Sequence, residues 1–236
     1  MPSGWLPDVV PDEPIESVWG NTIRDRTVTP FANAAERDAS IVAPTDGMLV
    51  YLEDVDQLQG RVMGAWRAIG LGTIASQTLS GGAAAVTFDA IPQTFTHLQI
   101  LGTARGTDTN LAYLSLRFNS DTTNEYYTEQ VNATGAPTPA LVQVGAQATF
   151  ATVGLVAGAS APAGMVSPVN ITIPNYRAAG IARSMTWQSG ANYFTSLRYE
   201  TGAALWTKTP AVTRIDLAAI TGQLTTGTIL TLSGVS

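Results

Sequence analysis

Three carboxylates, Asp121, Glu125 and Glu129, follow one another at four-residue spacing in NSDTTNEYYTEQ, where a loop runs into a strand. Paired carboxylates are the machinery of glycoside hydrolysis, one acting as acid and the other as base or nucleophile. On a strand Glu125 and Glu129 share a face, although a solvated loop explains the same spacing. Asp121 with Asn124 offers oxygens to calcium, but the ligand series is too short for a calcium loop, and DVDQ at 54–57 lacks the required glycine and distal glutamate. A hairpin turn explains DVDQ, and neither a metal nor a cofactor is expected. His97, the sole histidine, lies in the strand pattern TFTHLQIL with no nucleophile elbow in the chain, so a structural role is expected for it. Flat rings with polar edges stack on sugar faces. The candidate glycan contacts are Tyr126, Tyr127, Trp187 and Tyr193, with core or subunit packing as the competing use of the same rings. The glycine runs SGGAAA and GLVAGASAPAGM carry no lysine and begin no helix, so they form turns rather than a phosphate cradle. The expectation is a protein that is not an enzyme.

The elements that would position these residues are strands. The chain has 236 residues, 13% of them charged, with 22 Gly and 13 Pro, a composition suited to many short strands and tight turns. The absence of cysteine excludes disulfides, thiol catalysis and cysteine-ligated zinc. Residues 1–14 have neither a basic start nor an apolar stretch, and no window has the roughly 18 apolar residues of a span, so a soluble protein made in the cytoplasm is expected, without membrane insertion. Residues 1–66 hold 11 Asp or Glu against 4 Arg, a balance of −7, while the remainder is close to neutral and contains the single lysine, Lys208. No basic face is available to neutralise phosphates, so nucleic acid is excluded as a partner.

Residues 1–14 carry Pro2, Pro7, Pro11 and Pro14 and read as an extended arm. Ile15, Trp19 and Ile23 at four-residue spacing predict a short helix over about 14–27. Thr29 and Pro30 repeat the start signal and predict a second helix, through Phe31, ending near Ser40. PTDG at 44–47 is a turn, and the alternation beyond it predicts a small β-meander ending at Trp66. From Thr73 onward about ten strand-like segments with turn signals between them predict an antiparallel sandwich of jelly-roll type. Thus residues 1–70 form an N-terminal docking region of arm, helices and hairpin, and residues 71–236 a β-sandwich domain. No fixed-period repeat is visible, which disfavours a propeller or solenoid.

The stretch WGNTIRDRTVTPFANAAERDASI, with the following APTDGMLVYLEDVDQL, resembles the N-terminal part of virion proteins of tailed bacteriophages, notably minor tail or fibre proteins of actinobacterial phages. The matching positions include Asn21, Ile23, Arg24, Asp25, Arg26, Pro30, Phe31, Arg37, Asp38, Gly47 and Met48; where that pattern has a Tyr-Asp-Gly-Ser turn, this chain reads RVMGAW. The segment from FTHLQILGTARG to the end looks like the β-sandwich ends of phage fibres and spikes. The resemblance implies a virion protein assembled in the host cytoplasm, a homotrimer docked to other virion proteins through Trp19, Asn21, Ile23, Arg24, Asp25, Arg26, Phe31, Arg37 and Asp38. The outer sandwich would then contact the host surface through a glycan. Interleaved arginines and carboxylates suit register and partner choice at such a contact. Two alternatives stay open: a capsid decoration or head-fibre protein, and a tail-associated glycan hydrolase using Asp121, Glu125 or Glu129.

Overall fold

Alternation of apolar and polar residues dominates the chain from residue 49 onward, and the fold follows it. The computed structural model describes residues 28–55, 57–133, 140–193 and 196–235, with backbone alone at 71, 140–146, 192–193 and 196. The protein is mainly β, 55% strand and 4% helix, in several sheets. The chain divides into two compact units between Gly72 and Thr73.

In the first unit β1 (Thr29–Phe31), β2 (Leu49–Leu52), β3 (Gln57–Val62) and β4 (Ala65–Ala68) form a four-stranded sheet in that order. β1 runs parallel to β2, and the other pairings are antiparallel, which gives the expected meander. The expected second helix is shorter than its start signal suggested: Pro30 lies in edge strand β1, and α1 covers Ala34–Ser40. An edge strand tolerates proline, which has no amide to donate. Asn33 makes the stronger cap: its side chain accepts from the Glu36 amide at 2.9 Å, and Glu36 accepts from the Ala32 amide at 2.7 Å. Phe31, Val50 and Leu52 form the buried core of this unit, with Ile41 and Trp66 packed against it. α1 is the sole helix among the described residues, and the arm and helix expected over 1–27 lie outside them.

The second unit holds β5 (Leu71–Thr78), β6 (Ala85–Phe88), β7 (His97–Ala104), β8 (Leu111–Phe118), β9 (Tyr126–Ala133), β10 (Ala140–Ala148), β11 (Ala151–Ala157), β12 (Ser167–Ile173), β13 (Arg183–Tyr193), β14 (Ser196–Trp206), β15 (Ile215–Ala219) and β16 (Ile229–Val235). An eight-stranded sheet has the order β10-β9-β14-β13-β12-β7-β16-β5, and a four-stranded sheet the order β11-β8-β15-β6. β5 and β10 were not among the ten expected strands. The small sheet lies on one face of the large one, with β11 crossing β12, β13 and β14. Leu98, Ile100, Ile171, Ile173, Leu230 and Leu232 of the large sheet face Val86, Phe88, Leu114, Leu116, Ile215 and Leu217 of the small one, all buried.

β11 explains an oddity of the large sheet. As the edge of the small sheet it has amides that its own sheet leaves unpaired, and buried polar groups need partners. Three side-chain hydroxyls from the large sheet supply them: Thr128 accepts from Thr152 at 3.2 Å, Ser189 from Leu155 at 2.9 Å and Ser167 from Ala157 at 2.8 Å. Polar residues of β9, β13 and β12 therefore face inward.

Candidate docking surface

The docking residues inside the described range do not point at a partner. Phe31 is 8% exposed and belongs to the core. Arg37 is 7% exposed; its guanidinium stacks over Trp66 at 5.0 Å, bonds Asp38 through Nε at 2.9 Å and donates to Gln59 Oε1. Arg61 also lies over the Trp66 ring, at 5.7 Å. The Arg37 assignment is corrected, since Arg37 holds the first unit together, while Phe31 is a core residue that also lines a cleft on this unit. Arginine is suited to this because its planar cation stacks on indole while keeping its in-plane donors free. Asp38 is solvent-exposed. Trp19, Asn21, Ile23, Arg24, Asp25 and Arg26 lie outside the described residues.

Large apolar side chains are exposed on this unit among its charges. Val42 and Met63 are 88% and 85% exposed, and Val28, Leu49, Val55, Val62 and Ile69 are exposed as well, against a buried apolar core of three side chains among the described residues. A cleft of about 470 Å³ lined by Phe31, Ile41, Val42, Met48, Leu49 and Val50 opens on the same unit. Exposed apolar side chains beside a cleft make this a candidate docking surface. Only Leu49 and Val62 lie on strands, so strand periodicity could not have located Val28, Val42, Val55, Met63 and Ile69, which sit in turns and connections.

In the second unit the glycan candidates separate. Tyr126 is 0% and Trp187 1% exposed, so neither can stack on a sugar; both are corrected to core residues. The Tyr126 hydroxyl accepts from the Phe118 amide at 2.9 Å, its ring stacks at 6.2 Å on Trp206, and burial pushes its hydroxyl well above the ordinary phenol range. Tyr127 is half-buried and faces the opposite side of β9. The side chain of Tyr193 lies outside the described residues.

The carboxylates of the hydrolase alternative have structural partners. Asp121 accepts from the Trp206 indole at 2.7 Å and from the Thr123 amide at 3.0 Å. Burial raises its pKa, but the bonds from Thr123 and Trp206, with Lys208 nearby, outweigh that and hold the carboxyl below its ordinary value. A general acid needs the opposite shift. Glu125 accepts from the Thr207 hydroxyl and lies 3.8 Å from Lys208, while Glu129 is exposed. His97 accepts from the Asn175 amide at 3.1 Å through Nδ1. Among the described residues no three His, Cys, Asp or Glu side chains are grouped to hold a metal ion, and no helix is long and apolar enough to cross a membrane.

Sequence reading missed a buried polar cluster at the large sheet. Glu200 is fully buried, bonded to Arg198 at 3.0 Å and to Asn132 at 2.9 Å, and Arg198 also donates to the Tyr113 hydroxyl at 2.9 Å. Glu200 Oε2, Asn132 Oδ1, Gln130 Oε1, Arg198 Nε and Trp187 Nε1 have no further partner in the protein. Interior atoms of this kind are ordinarily completed by buried water. Desolvation pushes the Glu200 carboxyl above its ordinary value, against the pull of Arg198.

No family model, no curated protein and no solved structure matches this chain.

Proposed function

We propose that the chain is a structural, non-enzymatic protein of a bacteriophage particle. Its first unit docks to other virion proteins, and its second unit, a sandwich of jelly-roll type, faces outward as part of a homotrimer. What supports this reading is the imbalance of the first unit, in which, among the described residues, a core of Phe31, Val50 and Leu52 is outnumbered by exposed apolar side chains. Buried against a partner, each such side chain contributes about 1.5–3 kcal/mol. Docking through Val42, Met63 and the adjoining cleft is then the source of stability that the small core does not provide. Arg37 shapes the unit from within, and exposed Asp38 is the one of this pair that could reach across the contact.

A host-surface glycan is the ligand class proposed for the outward unit. Of the four aromatic candidates, Tyr127 is the one whose described side chain reaches solvent.

Labelling the C-terminus and locating it in images of the intact particle tests the reading. Density at the tail tip supports the fibre-like role, and density over the icosahedral shell supports the capsid-decoration alternative. Absence of the label from purified particles contradicts both. Turnover of host cell-wall polysaccharide by the purified chain, abolished by Glu125→Ala, would replace this reading with the hydrolase.

A further inference from the structure

Sheet faces turned to water normally carry charge, and the small sheet does: Arg117 pairs across from Asp216, which binds Arg214 at 2.8 Å. The outward face of the large sheet is different. Its strands present Gln99 and Thr103 of β7, Asn170 and Thr172 of β12, and Thr186 and Gln188 of β13. Ser76 and Thr231 join β5 to β16 by a 3.0 Å hydroxyl contact on the same face. Among the described outward strand residues Glu129 is the one carboxylate and His97, whose Nδ1 accepts from the Asn175 amide, the one imidazole, with no Lys or Arg beside them.

The apolar residues of the unit are also turned to this side. Val131 of β9, Leu197, Tyr199 and Leu205 of β14, Leu101 of β7 and Ile229 of β16 are all exposed. Of the exposed large hydrophobics in the second unit, Ile181 and Ile220 alone lie off this face, both outside the strands. On β9 and β14 the usual arrangement is inverted: Gln130, Asn132, Arg198 and Glu200 face the interior, while Val131, Leu197, Tyr199 and Leu205 face out. Serving the amides of β11 and the internal Arg198–Glu200 pair explains the inward polar residues. It does not explain the outward apolar ones, which fit a second surface laid over them.

We propose that the outward face of the eight-stranded sheet is an interface that docks a second copy of this chain. Charge favours this occupant: a strongly basic or acidic partner would find little complement here, whereas two copies of a face this poor in charge bring together no like charges beyond Glu129. Size agrees: eight strands about 4.8 Å apart and roughly seven residues long give on the order of 800 Å², the area one partner contributes to a stable interface. Leu197 and Tyr199 are the anchors, since Leu197 is 69% exposed and a tyrosine ring supplies area with few rotamers to freeze. A face that meets its own copy closes as a two-fold dimer, so the inference goes beyond the homotrimer of the proposed function and is independent of the virion part. Tyr127 is covered in this arrangement, which moves any glycan contact from the sheet to the loops.

Sedimentation equilibrium of the intact chain is the test, with Leu197→Glu and Tyr199→Glu as variants and Ile220→Glu as control. Both substitutions are at exposed positions, so the fold, followed by circular dichroism, is retained. The wild type is expected to be an oligomer, the two face variants to raise its dissociation constant at least about a hundredfold, and the control to leave it unchanged. Glu129→Gln, which removes the one charge on the face, is expected to tighten association. A monomeric wild type, or an oligomer indifferent to both face variants, overturns the proposal without touching the docking of the first unit. A monomer retained on immobilised dextran, with retention lost in Tyr199→Glu, overturns it in favour of a sugar platform.

Discussion

Arg37 shows how a charged residue can serve as core. Its guanidinium is stacked on Trp66 and bonded in plane to Asp38 and Gln59, so it ties α1 to β3 and β4. Arg37→Ala removes both stack and bonds and is expected to lower the opening free energy of the β3 and β4 amides by about 1–2 kcal/mol, read by hydrogen exchange. Arg37→Lys should recover little of it, because an ammonium cannot present the planar fork. Glu200 is the opposite case, a charge that the fold holds at a cost. Desolvation puts its carboxyl above the ordinary 4.5. The folded chain therefore binds that proton more tightly than the unfolded chain does, and stability falls as pH rises from 4.5 through the folded value. Asp121 and Asp216 run the other way. Burial raises each, but Thr123 and Trp206 at the first, and Arg214, Thr87 and Ser120 at the second, hold both below 3.8, so their stabilisation is lost as pH falls beneath that value. Denaturant midpoints across the acid range should show the wild type losing stability relative to Glu200→Gln as pH rises above 4.5, with the two curves parallel below it.

Strands were legible wherever one face is apolar. VNITI and TLSG alternate, and β12 and β16 lie where that alternation puts them. ATVGLVA is apolar but for Thr152, and β11 is buried throughout. β10 was missed because Gly145 and three alanines blur the period of ALVQVGAQA, and β5 because LGTIASQT mixes small and polar residues. The roles of the aromatics were not legible, for a physical reason. A strand's pattern shows that two faces exist, but on β9 the inward set is Tyr126, Thr128, Gln130 and Asn132, three of which serve interior partners, Phe118, the β11 amide of Thr152 and Glu200, rather than follow hydropathy. Trp187 is accommodated by the same kind of cross-strand constraint. It registers opposite Gly202, where an added Cβ would stand 2.5 Å from the Glu129 carbonyl and 2.6 Å from the Trp187 ring. Gly202→Ala is expected to cost about 1–3 kcal/mol and to shift Trp187 fluorescence, measured together in one denaturant titration.

Across the whole molecule, the change of texture near residue 70 was readable, because short uneven strands give way to regularly spaced ones, and the structure divides between Gly72 and Thr73. The partner of each unit was not readable, since exposure is a property of the assembled surface. Two apolar surfaces of different kinds result: Val42, Met63 and their cleft on a unit whose described core is three side chains, and a broad sheet poor in charge on a unit with an extensive core. The first is expected to stabilise its own unit by docking, the second to join units that are already stable. The central claim is that the first unit depends on a partner for its stability. Thermal unfolding of residues 1–72 and 73–236 as separate fragments tests it most directly. A cooperative transition for 73–236, with none for 1–72 until it is mixed with its docking partner, is the expected result. A compact monomeric 1–72 that melts cooperatively on its own would contradict it.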